Sequence, residues 1–104
     1  MNDQQMQRCI ANCEACLDAC RICADACRGV EGMEECLRRC EACLPANEAA
    51  LEAMRRDSNE ACGACADACR ACAEECERHV ADPCQRCAEA CRRCEQSCRA
   101  MASA

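Results

Sequence analysis

Between Cys9 and Cys27 one residue type returns at intervals of four and three: Cys9, Cys13, Cys16, Cys20, Cys23 and Cys27. Intervals that average 3.5 residues keep a stripe of side chains on one face of a helix and turned toward a partner helix. The same spacing recurs in Cys36, Cys40 and Cys43, in Cys62, Cys65, Cys69, Cys72 and Cys76, and in Cys84, Cys87, Cys91, Cys94 and Cys98. Four stripes separated by polar positions predict four amphipathic helices, over about residues 3–28, 33–56, 58–80 and 83–101.

Boundary residues fall between the stripes. The first helix is expected to start near Asn2 or Asp3 and to end before Gly29, with Gly32 closing a short loop. Asp57 with Glu60 has the pattern of a capping box for the third helix, and Asp82, Pro83 and Gln85 mark the start of the fourth. Pro45 interrupts the second, because it lacks an amide donor and crowds the preceding turn. The stripe nevertheless runs on in phase through Met33, Cys36, Cys40, Cys43, Asn47, Ala50 and Met54, so this helix is expected to be kinked but continuous. Short connections make consecutive helices antiparallel. The expected fold is all-α: an up-down-up-down antiparallel four-helix bundle, one domain over residues 1–104, with cysteines lining its core.

Composition reinforces this reading. There is no Phe, Trp or Tyr among the 104 residues, and the 19 cysteines stand where a bundle would place Leu and Ile. Disulfide scaffolds are loop-rich, whereas this chain has only 3 Gly and 2 Pro amid strong helix formers. Within a stripe, neighbouring Cβ atoms are about 5–6 Å apart, but a disulfide needs about 3.8 Å. An odd number of thiols also leaves at least one unpaired. Free thiols point to a reducing compartment, and no apolar run has the length of a leader core or a membrane span, so the expected location is cytoplasmic with no membrane partner.

The net charge of −6 and the missing aromatics argue against nucleic acid. The charges form pairs three or four residues apart: Asp18 with Arg21, Glu35 with Arg39, Glu74 with Arg78, Glu89 with Arg93, Glu95 with Arg99. Such pairs are ordinary features of a solvated helix face.

Buried cysteine can pack as a small apolar residue, but a core built only for packing has no need of so many oxidisable groups. Soft thiolates select Cu(I), zinc or iron–sulfur clusters. Charge separates them. Zinc on four thiolates leaves two excess negative charges per centre, costly in a dry interior. Cu(I) bridged by thiolates, at about one ion per cysteine, makes the core nearly neutral, and the thiols of the metal-free protein are neutral too. All 19 cysteines are therefore candidate ligands for multiple Cu(I) ions.

His79 lies three residues after Cys76 and is either a helix-end residue or a ligand at one mouth of the bundle. Met6, Met54 and Met101 should meet at the other mouth, either filling gaps or offering thioethers. A neutral imidazole binds metal and a protonated one does not, so the two mouths differ in pH behaviour. The rival readings are a zinc or cadmium thiolate buffer and a thiol redox sink. Reactive redox cysteines are exposed beside positive charge, unlike thiols facing a common interior. Nothing in the sequence assembles a catalytic nucleophile, base and orienting group, so the protein is not expected to be an enzyme.

Several segments resemble the bacterial copper storage proteins. They include Ala61-Cys62-Gly63-Ala64-Cys65, Glu75-Cys76-Glu77-Arg78-His79, the run from Cys84 to Arg99, and Cys16-Leu17-Asp18-Ala19-Cys20 with Cys23-Ala24-Asp25-Ala26-Cys27. The resemblance implies a homotetramer of four-helix bundles that hold Cu(I) inside on cysteine, buffer copper, and exchange it with donor or acceptor proteins. It also implies that His79 sits near copper at one mouth. The chain departs from that pattern between the third and fourth helices, at Val80-Ala81-Asp82-Pro83, and after Cys43, at Leu44-Pro45-Ala46-Asn47. Ile10 and Leu17, with Leu37, Leu44 and Leu51, repeat every seven residues beside the thiol stripes. They seal either the contact between the first two helices or a contact between bundles.

Overall fold

Four helices account for most of residues 2–104, the part of the chain that the computed structural model describes: α1 (Asp3–Cys27), α2 (Glu34–Arg55), α3 (Cys62–Cys76) and α4 (Asp82–Ala102). Among the described residues there is no strand. Each helix starts and stops for local reasons. The Asn2 side chain caps α1 by accepting from the Gln5 amide at 2.7 Å. Gly29 and Gly32 take φ of 76° and 89°, the left-handed region that lets the chain reverse into α2. Helix α2 passes through Pro45 without stopping, as its in-phase stripe requires.

The third helix is shorter than the spacing suggests. Asp57, expected to help cap α3, instead closes α2: its φ is 61°, its amide donates to the Met54 carbonyl, and the Ser58 amide reaches back to the Ala53 carbonyl. This is the paired hydrogen-bond pattern by which a left-handed residue satisfies the last carbonyls of a helix. Residues 57–61 are consumed as a turn, and α3 begins at Cys62. The turn is pinned from outside, since Asn59 Nδ2 donates to the Met101 carbonyl at 2.6 Å. At the other end α3 stops at Cys76, so His79 lies in the turn beyond it. In α4, Pro83 sits in the first turn as expected, but the Gln85 side chain donates through Nε2 to the His79 carbonyl instead of capping its own helix.

The helices form a square in which α1 and α3 each pack on α2 and α4. Their directions are read from sulfur pairs across the core. Cys9 meets Cys98, Cys16 meets Cys91 and Cys20 meets Cys87, so α1 and α4 are antiparallel. Cys36, Cys40 and Cys43 meet Cys76, Cys72 and Cys69 in the same opposed order, so α2 and α3 are antiparallel too. Contacts of Cys23 with Cys36 and of Cys65 with Cys94 complete the up-down-up-down bundle, 43 × 18 × 17 Å overall. The long axis suits the 25-residue α1, which spans about 37 Å at about 1.5 Å per residue.

Small core residues allow close helix approach, and polar side chains stitch the seams. Arg39 donates to Glu35 on its own helix and to the Ala71 carbonyl of α3 at 2.8 Å. Asn12 bonds Ser97 between α1 and α4. Of the surface pairs expected from spacing, Glu35 with Arg39, Glu89 with Arg93 and Glu95 with Arg99 form, the last two at 3.8 Å. Asp18 with Arg21 and Glu74 with Arg78 are not among the ion pairs; Glu74 pairs with Arg70 and Arg78 turns to Glu75. Such exposed pairs contribute little each.

Candidate metal centre

The heptad spacing turns every cysteine inward. All 19 thiols are free and buried, none more than 2% exposed. Along α1 and α4 they form rungs: Cys9 with Cys98 at 3.6 Å, Cys13 with Cys94 at 3.5 Å, Cys16 with Cys91 at 3.5 Å, Cys20 with Cys87 at 3.6 Å and Cys23 with Cys84 at 3.7 Å. Three further rungs of 3.7 Å join α2 to α3. Within a helix, pairs four residues apart stand at 3.9–4.0 Å, as in Cys16 with Cys20, Cys72 with Cys76 and Cys94 with Cys98. The sulfurs are thus a continuous lattice and not a few isolated clusters.

This lattice has the dimensions of metal coordination. With bonds of about 2.3 Å, two sulfurs on one ion lie about 4.6 Å apart if the ion is two-coordinate and about 4.0 Å if it is three-coordinate. The pairs within a helix already match the second value and reach the first by parting about 0.6 Å. Several sets of four sulfurs lie within 4.8 Å of one another, among them Cys13, Cys65, Cys94 and Cys98; Cys16, Cys20, Cys43 and Cys91; and Cys23, Cys27, Cys36 and Cys84. One sulfur belongs to more than one set, as Cys20, Cys23, Cys87 and Cys91 do. Shared sulfurs are what bridging thiolates require.

Burial also opposes ionisation of the thiols in the metal-free core. Desolvation, reinforced by the neighbouring Cys98, Cys9 and Cys65, pushes the Cys62 thiol up to about 12. Desolvation likewise raises Cys36 and Cys84. A thiolate in this interior needs a cation beside it.

Comparison with known proteins decides what that cation is. The sequence profile described as "Copper storage protein" matches residues 2–103. The chain belongs to the copper storage protein family. Solved structures agree. Apo copper storage protein 3 from Bacillus subtilis is 40% identical, with a TM-score of 0.86 over 92% of this chain and 97% of that one. A cytosolic copper storage protein from Streptomyces lividans, described with five coppers, is 34% identical, with a TM-score of 0.88 over 97% of this chain and 94% of that one. The same Streptomyces lividans protein loaded with 10 copper equivalents is 35% identical, with a TM-score of 0.88 over 96% and 85% of the two chains. No curated protein matches the chain by sequence.

As a copper storage protein, the chain handles multiple Cu(I) ions, and its buried thiols are the soft donors that chemistry calls for. Two polar residues are buried, Glu75 and Asn47; the stripe of α2 reached position 47, but the cysteine spacing did not single out Glu75. Glu75 has a side chain only 7% exposed; its Oε2 lies 2.8 Å from His79 Nε2, and its Oε1 lies 3.5 Å from Arg78. The signal was a carboxylate four residues before the one histidine, on the same helix face. His79 is 21% exposed, and its Nε2 engages Glu75 and not a thiol. Asn47, fully buried, occupies the next stripe position of α2 after Cys43. Met6, Met54 and Met101 are all buried in the core at the start of α1 and the ends of α2 and α4, which the topology brings to one end.

Proposed function

We propose that this chain, acting as one bundle domain over residues 1–104, stores Cu(I) at about one ion per thiol, on all 19 cysteines with His79 near one mouth. The observation that carries the reading is the thiol lattice, buried, free of disulfides and spaced for shared coordination. The role is storage and buffering and not catalysis. A zinc or cadmium buffer is disfavoured by the negative charge that four-thiolate centres would strand in the core.

His79 and the carboxylate of Glu75 form the uptake mouth. The side walls are close-packed, so an ion reaches the interior only through an end. This end offers a partly exposed imidazole one turn beyond Cys76. The opposite end is closed by the three buried methionines. The working location is the cytosol, where thiols stay reduced, as for the cytosolic Streptomyces lividans relative. Ile10, Leu17, Leu37 and Leu44 remain only partly buried against the core, which supports their use between bundles in a homotetramer. Copper donor and acceptor proteins would meet the His79 end.

The test is anaerobic titration of the fully reduced protein with Cu(I), read by native mass spectrometry. Loading to about one ion per thiol is expected. Saturation at two to four ions would sink the proposal.

A further inference from the structure

Three of the 19 thiols keep any contact with solvent: Cys27 at 2%, Cys36 at 1% and Cys84 at 1%, with every other cysteine at 0%. All three sit at the His79 end, Cys27 as the last residue of α1 and Cys36 and Cys84 in the first turns of α2 and α4. Their sulfurs converge on Cys23 Sγ, at 4.0, 3.9 and 3.7 Å respectively, and Cys36 stands 4.0 Å from Cys84. All four sulfurs lie within 4.8 Å of one another. The turn that carries His79 is fastened beside them: the His79 amide donates to the Cys76 carbonyl at 3.1 Å, and Gln85, next to Cys84, donates to the His79 carbonyl. The quartet also opens inward. Cys23 belongs to a second set of four, with Cys40, Cys76 and Cys87, and Cys36 reaches Cys76 at 3.7 Å. Cys87 in turn joins Cys20, Cys72 and Cys91, and Cys20 and Cys91 join Cys16 and Cys43. Consecutive sets thus share sulfurs from the mouth to the middle of the bundle.

We infer that Cys23, Cys27, Cys36 and Cys84 are the loading site of the core: the first thiols to take each Cu(I) from the mouth, and the ones that pass it inward through Cys23 and Cys36. The inference rests on the storage reading above. Each transfer is a ligand exchange. A Cu–S bond to an inner sulfur forms as one to an outer sulfur breaks; the inner thiol gives up its proton, the freed outer thiolate takes one, and copper stays Cu(I) throughout. Because neighbouring sets share a sulfur, the ion remains held during the step. It never crosses the dry interior as a bare cation, which would be costly. The thiols of the opposite end are equally soft ligands, but Cys9, Cys62 and Cys98 are at 0% exposure and share that end with the buried Met54 and Met101. Position, and not donor chemistry, singles out the quartet, so its loss should show in the rate of filling beyond what the missing sulfurs take from capacity.

The experiment compares two variants of the full chain that each lack three thiols: Cys27→Ser with Cys36→Ser and Cys84→Ser at the mouth, and Cys9→Ser with Cys62→Ser and Cys98→Ser at the opposite end. Both should lose about three ions in capacity, read by native mass spectrometry at about one ion per thiol. Uptake is followed by anaerobic stopped-flow transfer from a chromophoric Cu(I) chelator, after circular dichroism has verified that each variant is helical. Removing groups that merely orient a metal ligand costs about 10–100-fold in affinity or activity, so losing the ligands themselves should make the mouth variant at least about ten-fold slower than the opposite-end variant. Equal rates, or slower uptake by the opposite-end variant, would overturn the loading site. The unsubstituted protein gives a reading that depends on no variant: brief alkylation of the reduced, metal-free chain with iodoacetamide, mapped by peptide mass spectrometry, should mark Cys27, Cys36 or Cys84 first. First labels on Cys9, Cys62 or Cys98 would equally overturn it. Those outcomes, with the unsubstituted protein still loading to near one ion per thiol, leave the storage reading standing. Saturation of the unsubstituted protein at two to four ions fails the storage reading itself.

Discussion

Replacing His79 with Ala should have two separable effects, one on stability and one on copper exchange. His79 Nε2 holds a carboxylate whose side chain is 7% exposed, at 2.8 Å. Its removal leaves Glu75 with Arg78 at 3.5 Å, and Arg78 is itself 75% exposed, so that interaction is well screened by solvent. Losing a hydrogen bond to a buried charged group costs about 1.5–3 kcal/mol. For a domain of this size each kcal/mol lowers Tm by roughly 4–8 °C, so a fall of about 6–24 °C is expected in the reduced, metal-free protein, followed by circular dichroism under anaerobic conditions. Glu75→Gln removes the charge that needs a partner, so adding it to His79→Ala should recover part of the loss, and the double-mutant cycle reports the coupling. A loss below about 0.5 kcal/mol in His79→Ala, the range of ordinary surface substitutions, would refute the structural part of this reasoning. Exchange is measured separately, by stopped-flow transfer of copper to and from a chromophoric chelator. His79→Ala should slow transfer while leaving total capacity unchanged, because the thiols remain, and the Glu75→Gln variant shows how much of the slowing the pair contributes. Joint replacement of Met6, Met54 and Met101 by Leu should leave the rate unaltered. If the triple variant is slowed and His79→Ala is not, copper passes through the methionine end.

The metal-free bundle should weaken in alkali. Burial raises Cys62 from 9.0 to about 12, so the native state keeps a proton that the unfolded chain releases; this stability is complete below about pH 9 and lost as pH rises through about 12. Chemical denaturation across that range reads the trend, and a midpoint that does not fall would contradict it. Copper uptake near neutral pH should release about one proton per thiolate formed, measurable with an indicator in weakly buffered solution; release of only a few protons at full loading would mean that the thiols were already ionised. Glu35, held at about 2 by Arg38 and Arg39, contributes stability above its ordinary value of 4.5 that is lost as pH falls through about 2. Glu35→Gln should therefore flatten the acid limb of the stability curve only slightly, since these side chains are exposed. Light scattering at micromolar concentration should give a tetramer, and a monomer alone would return Ile10 and Leu17 to a purely internal role.

Periodicity alone determined much of this protein. Side chains spaced four and three apart share a helix face whatever surrounds them, so Cys9 to Cys27 and the three later stripes were legible as inward-facing thiols, and their antiparallel order followed from short connections. The softness of sulfur and the charge left by competing metals pointed to Cu(I) before any contact was known. Local hydrogen-bond competition was less legible. Asp57 has the chemistry to open α3 or to close α2, and only the carbonyls of Ala53 and Met54, already placed by α2, decided for closure. The third helix is shorter for that reason. What tertiary structure alone decided is how the core is connected. Asn47 was visible as a stripe position, but its bonds to Cys16, Cys65, Cys69 and Cys94 join three other helices, and no spacing within one helix encodes which sulfurs gather around an amide. The burial of Glu75 beneath His79 is of the same kind. Helical periodicity states which way a residue faces, whereas depth and partnership depend on how closely the other helices approach.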